Sequence, residues 1–168
     1  MEQAAKPKRD IKDLLGKIYF TNNYPELRKA PIQLYKAYKI YDDLANRDLD
    51  LYYNRLKNYP TDLQKEIHRH TATAAVLSQL YPDEFVRQLG NLKEYSDLQT
   101  GQSNSNSVFD LKNNENGIKI GKQYPNLSRT QIYDVILNQL RGDTERELYW
   151  QNQPHIYKNV YGEIYSQK

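Results

Sequence analysis

Cysteine is absent from this 168-residue chain, which excludes disulfides, thiolate nucleophiles and cysteine metal sites. Long apolar runs are missing too. None approaches the roughly 18 residues that a membrane helix needs, so no membrane span is expected. Charge of one sign is scarce: 24 basic against 21 acidic residues leave a net +3, too little to argue for nucleic acid by itself. There is no Gly-rich phosphate loop and no Gly-x-Ser-x-Gly elbow. The opening residues, Met1 to Arg9, lack the apolar core of a signal peptide. They fit a cytoplasmic start, a trimmed mature start or a domain cut from a longer protein.

What is present fits a globular chain. Apolar residues make up 38% and charged residues 27%, and the length suits one domain with a real core. The aromatic balance is uneven, with 16 Tyr against 3 Phe and 1 Trp. Tyr buries its ring while its hydroxyl stays wet. Either these residues line the boundary of a small core, or they form a stacking surface for sugars, bases or a partner. Their mostly helical spacing favours the boundary reading.

Residues 1–10 read as a flexible basic tail, and residues 11–168 as a single helical domain. Ile11, Leu14, Leu15 and Ile18 predict a short helix, followed by a turn at Asn22-Asn23-Tyr24-Pro25. Pro31 opens a long amphipathic helix whose stripe runs Leu34, Tyr38, Tyr41, Ala45, Leu49, Tyr52, Leu56, with a kink near Asn46. Thr61 and Gln64 form a capping box. In the helix they open, Leu63, Ile67, His70, Ala74, Leu77 and Tyr81 define the buried stripe. Pro82-Asp83-Glu84 starts a second helix that reaches Glu94 and completes a helical hairpin. Residues 99–107 read as a polar flexible loop, and the Asn-rich segment after Phe109 as a tight turn or an irregular helix start. Ile118 and Ile120 alternate as in a short strand. Ser128 and Gln131 make a second capping box, with Leu127 and Ile132 as a hydrophobic staple, and Gly142 stops that helix. A short helix from Asp143 to Trp150 and a tail with Tyr157, Tyr161 and Tyr165 complete the chain.

Chemical potential concentrates between Thr61 and Gly121. His68 and His70 stand two apart on a helix and face different ways, so they do not form a metal pair. His70 lies on the predicted inner stripe. An inward His is a hydrogen-bonded core residue or a general base. Arg69 is either an anion clamp or a local partner of Glu66. Glu94 closes the hairpin, where it can approach His70 as an acid–base pair or as a structural ion pair. Asp110-x-x-Asn113-Asn114-x-x-Gly117 reads as a wired loop, or as a rigid polar rim that positions water, an ion or a substrate amide. Its spacing does not fit an EF-hand.

Arg69-His70, Glu94 after a helical hairpin, and Asp110-x-x-Asn113-Asn114-x-x-Gly117 followed by Ile120-Gly121 resemble a family of bacterial and phage domains. That family carries an Arg-His-Ala-x-Trp helix, a His-Glu pair and an Asp-x-x-Asn-Asn-x-x-Gly-Arg segment. Its members often look like C-terminal modules of secreted or toxin-like proteins. The resemblance spans about residues 60–125. The chain departs from the pattern at Ala74, near the family's aromatic, at Lys93 in place of the His before Glu94, and at Lys119 near the basic residue after the Gly.

The expectation is therefore an all-α chain, a compact array of five to seven helices with one irregular Asn/Gly-rich loop. The resemblance implies a bacterial effector or toxin-type hydrolase, secreted or delivered, acting on cell wall, lipid or nucleic acid, with a cognate immunity or secretion partner. His70, Glu94 and Asp110 are the candidate acid–base residues; Arg69, Asn113, Asn114 and Gly117 are candidates for holding substrate. No cofactor and no metal are expected. The alternative is a non-catalytic module that binds a protein or glycan through the Tyr-rich surface.

Overall fold

The helix starts follow the punctuation of the sequence. The computed structural model describes residues 23–58, 60–99 and 104–142. Pro25 opens α1 (Pro25–Lys29) and Pro31 opens α2 (Pro31–Asp43), at positions where a missing N–H is not needed. A π-helical turn at Leu44–Asp48 joins α2 to α3 (Leu49–Asn54). The expected long helix thus forms, and its expected irregularity at Asn46 is this widened turn. The Arg69 side chain donates to the Ala45 carbonyl at 2.9 Å, giving that turn an outside partner.

Both predicted capping boxes close. Thr61 N–H donates to Gln64 Oε1 at 3.0 Å and Gln64 N–H to Thr61 Oγ1 at 3.1 Å, at the start of α4 (Asp62–Leu80). Ser128 and Gln131 exchange the same pair of bonds, 2.9 and 3.3 Å, at the start of α7 (Arg129–Gly142). Between them lie α5 (Asp83–Gln99) and α6 (Asn104–Gln123). Every regular element among the described residues is a helix, as the all-α expectation has it. The predicted tail, the helix after Ile11, the helix from Asp143 and Tyr157, Tyr161 and Tyr165 lie outside the described residues.

The centre of the array is α4. Thr71, Ala72, Thr73, Ala74, Ala75, Val76, Leu77 and Ser78 are all buried, because small side chains let neighbours approach on every side. One core places Ala74 and Leu77 with Leu27, Leu34, Phe85, Leu89 and Leu92. The other places Ala72, Ala75 and Val76 with Leu44, Leu49, Tyr53, Ile132 and Ile136. The first half of α4 departs from the predicted stripe. His68, not His70, is its fully buried histidine. The His68 ring is held by Tyr53 Oη and the Tyr133 carbonyl, each at 2.8 Å, and stacks on Tyr52. The carbonyl can only accept, which assigns a proton to Nε2, while the Tyr53 hydroxyl bonds Nδ1 and also reaches the Lys65 carbonyl at 3.4 Å. Tyr52 and Tyr133 turn their hydroxyls to Asp134 and Asp48, at 2.6 and 2.7 Å. Burial, reinforced by Asp48, pushes the Tyr133 hydroxyl above its usual range. These tyrosines are core residues, Tyr53 and Tyr133 fully buried, with bonded hydroxyls rather than boundary residues with wet ones.

The Asn-rich segment is the main correction. Residues 104–123 are one helix, so neither an irregular loop at Asp110–Gly117 nor a strand at Ile118 and Ile120 exists. Packing overrides the poor helix propensity of Asn and Gly. Gly117 lies against Thr71 and Ala74, and Gly121 against Ala75 and Ser78. Contact positions rise together along the two helices, so α6 runs parallel to α4. It runs antiparallel to α5: Asp83 pairs with Lys122 at 2.7 Å, and Arg87 pairs with Glu115 seven residues earlier on α6. The end of α5 therefore meets the beginning of α6 beside the first half of α4.

Candidate functional site

Three helices bring their charged residues to that meeting point. His70 comes from α4, Lys93 and Glu94 from α5, and Asp110 from α6. His70 Nε2 lies 3.1 Å from Asp110 Oδ1, and Lys93 Nζ lies 3.2 Å from Glu94 Oε1. One donor atom each from His70, Glu94 and Asp110 falls within 4.8 Å of the others. Glu94 and Asp110 are each 2% exposed, so these carboxylates sit in the interior. The side chains of His70, 15% exposed, and Lys93, 23% exposed, form the outward side of the cluster.

Polar atoms in this region outnumber their bonds. Glu94 Oε2 is buried without a hydrogen-bond partner, and so are both amide atoms of Asn113, a residue with 0% exposure. Buried polar atoms are ordinarily satisfied, at a cost of about 1–3 kcal/mol each when they are not. Asn113 follows Asp110 by one helical turn and precedes Gly117 by another, so all three share the face of α6 that meets α4.

Lys93 fixes the electrostatics. Burial works against its ammonium, but Tyr41, Glu94 and Asp110 outweigh that, and its pKa is raised. Lys93 is therefore a permanent cation near neutral pH. With His70 neutral, the four side chains carry one net negative charge. Chemically, the arrangement offers an imidazole beside a carboxylate, a second carboxylate within reach, a fixed cation and an amide with bonding capacity.

The expected site residues divide by what the helices do with them. His70, Glu94 and Asp110 come together, with Asn113 one turn along. Arg69 does not join them. Its guanidinium is held by the Ala45 carbonyl and by Asp50, not by Glu66, and covers the Tyr53 ring. The Asn114 amide lies against Gly90 on α5, and Gly117 lies against Thr71 and Ala74, so both serve packing. Sequence reasoning noted Lys93 only as a departure from a pattern. Its place beside Glu94, at the end of the hairpin helix, was the available signal. The chain matches no protein-family model, no curated protein and no solved structure.

Proposed function

We propose that the His70–Glu94–Asp110 cluster is the acid–base centre of a hydrolase. The carrying observation is the convergence of these three groups within 4.8 Å, beside buried polar atoms of Glu94 and Asn113 that lack partners. Asp110 orients the His70 imidazole, which removes the proton from an attacking water. Glu94 serves as the second carboxylate. The Lys93 ammonium balances negative charge as it develops, and the Asn113 amide binds a substrate carbonyl or hydroxyl. The partial resemblance to bacterial and phage modules supports placing this activity in an effector or toxin-type protein that is secreted or delivered. Cell wall, lipid and nucleic acid are its candidate substrates, and an immunity or secretion protein is its candidate partner.

The second reading is a non-catalytic interaction module in which the cluster wires α4, α5 and α6 together. The near-complete burial of Glu94 and Asp110 favours it. Induced expression in bacteria separates the two, with wild type, His70→Ala and Asp110→Asn each directed to cytoplasm and periplasm. The hydrolytic reading expects growth arrest in one compartment that both variants relieve while keeping wild-type circular dichroism. Variants that lose helicity, or a wild type without effect in either compartment, would leave the interaction module standing.

A further inference from the structure

The same cluster has the donor set of a metal centre. We propose that His70, Glu94 and Asp110, with the Asn113 amide oxygen, bind one divalent first-row transition ion. One imidazole nitrogen and two carboxylates suit such an ion better than magnesium or calcium, which prefer oxygen ligands alone. Acidic groups gathered in space do not make a site by themselves. The independent observation is Asn113: fully buried, without a partner at either amide atom, and one helical turn from Asp110 on α6. Glu94 agrees with it, since Lys93 takes Oε1 and leaves buried Oε2 without a partner.

Distance and charge are both compatible. The donor atoms span up to 4.8 Å. A metal with bonds of about 2.0–2.2 Å would draw them to roughly 3–3.5 Å apart, a contraction that side-chain torsions supply without moving the helices. The two carboxylates of Glu94 and Asp110 face a single ammonium, that of Lys93, a balance that favours a cation at the centre of the cluster. The inference rests on the same residues as the hydrolytic reading and changes one role: an ion would take the single lone pair of the neutral His70 imidazole, which then no longer acts as the base. Its readout needs no substrate, so either can fail alone.

The test is equilibrium dialysis of the chelator-stripped full chain against Zn2+, Mn2+, Mg2+ and Ca2+, each separately, with elemental analysis. Wild type should bind one equivalent saturably. Glu94→Gln and His70→Gln should each weaken binding on the order of tenfold or more. Lys93→Gln, which removes a repelling charge, should tighten it. Circular dichroism accompanies each variant. Should a variant unfold, the thermal shift of wild type with and without metal still decides the matter. Wild type without saturable binding, or with binding unchanged by both ligand variants, overturns the proposal, as does preferential uptake of Mg2+ or Ca2+.

Discussion

Gly121→Ala should lower the unfolding free energy by about 3 kcal/mol, at the upper end of overpacking effects, or prevent folding altogether. In an isolated helix the same change would be favourable by roughly 0.5–1 kcal/mol, because Gly is a poor helix former. Packing reverses the sign. A Cβ at position 121 would run into Ser78 Oγ and the Ala75 carbonyl oxygen. The serine can rotate away, but the carbonyl belongs to the backbone of α4. Relief therefore requires α6 to move off the central helix along its whole length. Gly117→Ala should behave alike, since its Cβ would sit 2.8 Å from the Ala74 Cβ and closer still to the Thr71 carbonyl oxygen. Lys119→Ala, on the exposed side of the same helix, should leave stability within about 0.5 kcal/mol. Urea unfolding of the three variants checks the pattern. Equal, small effects at all three positions would mean that α6 does not press on α4 as described.

Lys93→Met should be the most damaging change within the cluster. It leaves two buried carboxylates, Glu94 and Asp110, without their cation. Breaking a buried pair by removing one partner costs about 3–5 kcal/mol, and the partial exposure of Lys93 reduces this to roughly 2–3 kcal/mol. Adding Glu94→Gln to Lys93→Met should restore most of the loss, because one of the two carboxylates is then gone. The pH dependence has a definite sign. The Lys93 pKa is raised in the folded state from an ordinary 10.5. Its contribution is therefore fully present below 10.5 and is lost only as pH rises through the higher folded value. Wild type should show that alkaline loss, and Lys93→Met should lack it. Unfolding free energies measured from neutral to strongly alkaline pH would decide this, and an identical alkaline limb in both proteins would contradict it.

Much of this fold was legible in the sequence for local reasons. Thr61/Gln64 and Ser128/Gln131 are short-range capping chemistry, which survives in any tertiary context. Pro25 and Pro31 constrain their own residues. The convergent cluster was legible in part: His70, Glu94 and Asp110, which the fold brings together, were singled out by type and position. Two misreadings have one origin. Asp110, Asn113 and Gly117 follow a spacing of three and four residues, which is helical, yet Asn and Gly suggested a loop. What makes the helix form is the seating of Gly117 and Gly121 on Thr71, Ala74, Ala75 and Ser78, a contact between segments some 40 residues apart. No local propensity encodes it. His68 and His70 were exchanged for a similar reason. The stripe was drawn as if α4 had one buried side, whereas a helix enclosed by neighbours buries both. Arg69 was assigned to the site because it adjoins His70 in sequence, but neighbours on a helix point about 100° apart, and Arg69 faces the π-helical turn.

In the proposed acid–base role, the buried carboxylates of this cluster serve chemistry and not stability. The unfolding free energy of Glu94→Gln, measured on the metal-free chain at neutral pH, tests this most directly. The glutamine keeps the shape of the side chain and an oxygen for Lys93, and it removes the charge that leaves the cluster one short of neutrality. Glu94→Gln should be as stable as wild type or more stable by about 1 kcal/mol, as expected where a functional group is held against the local energetics. A loss of more than about 2 kcal/mol would identify Glu94 as a structural ion-pair partner and contradict the central claim.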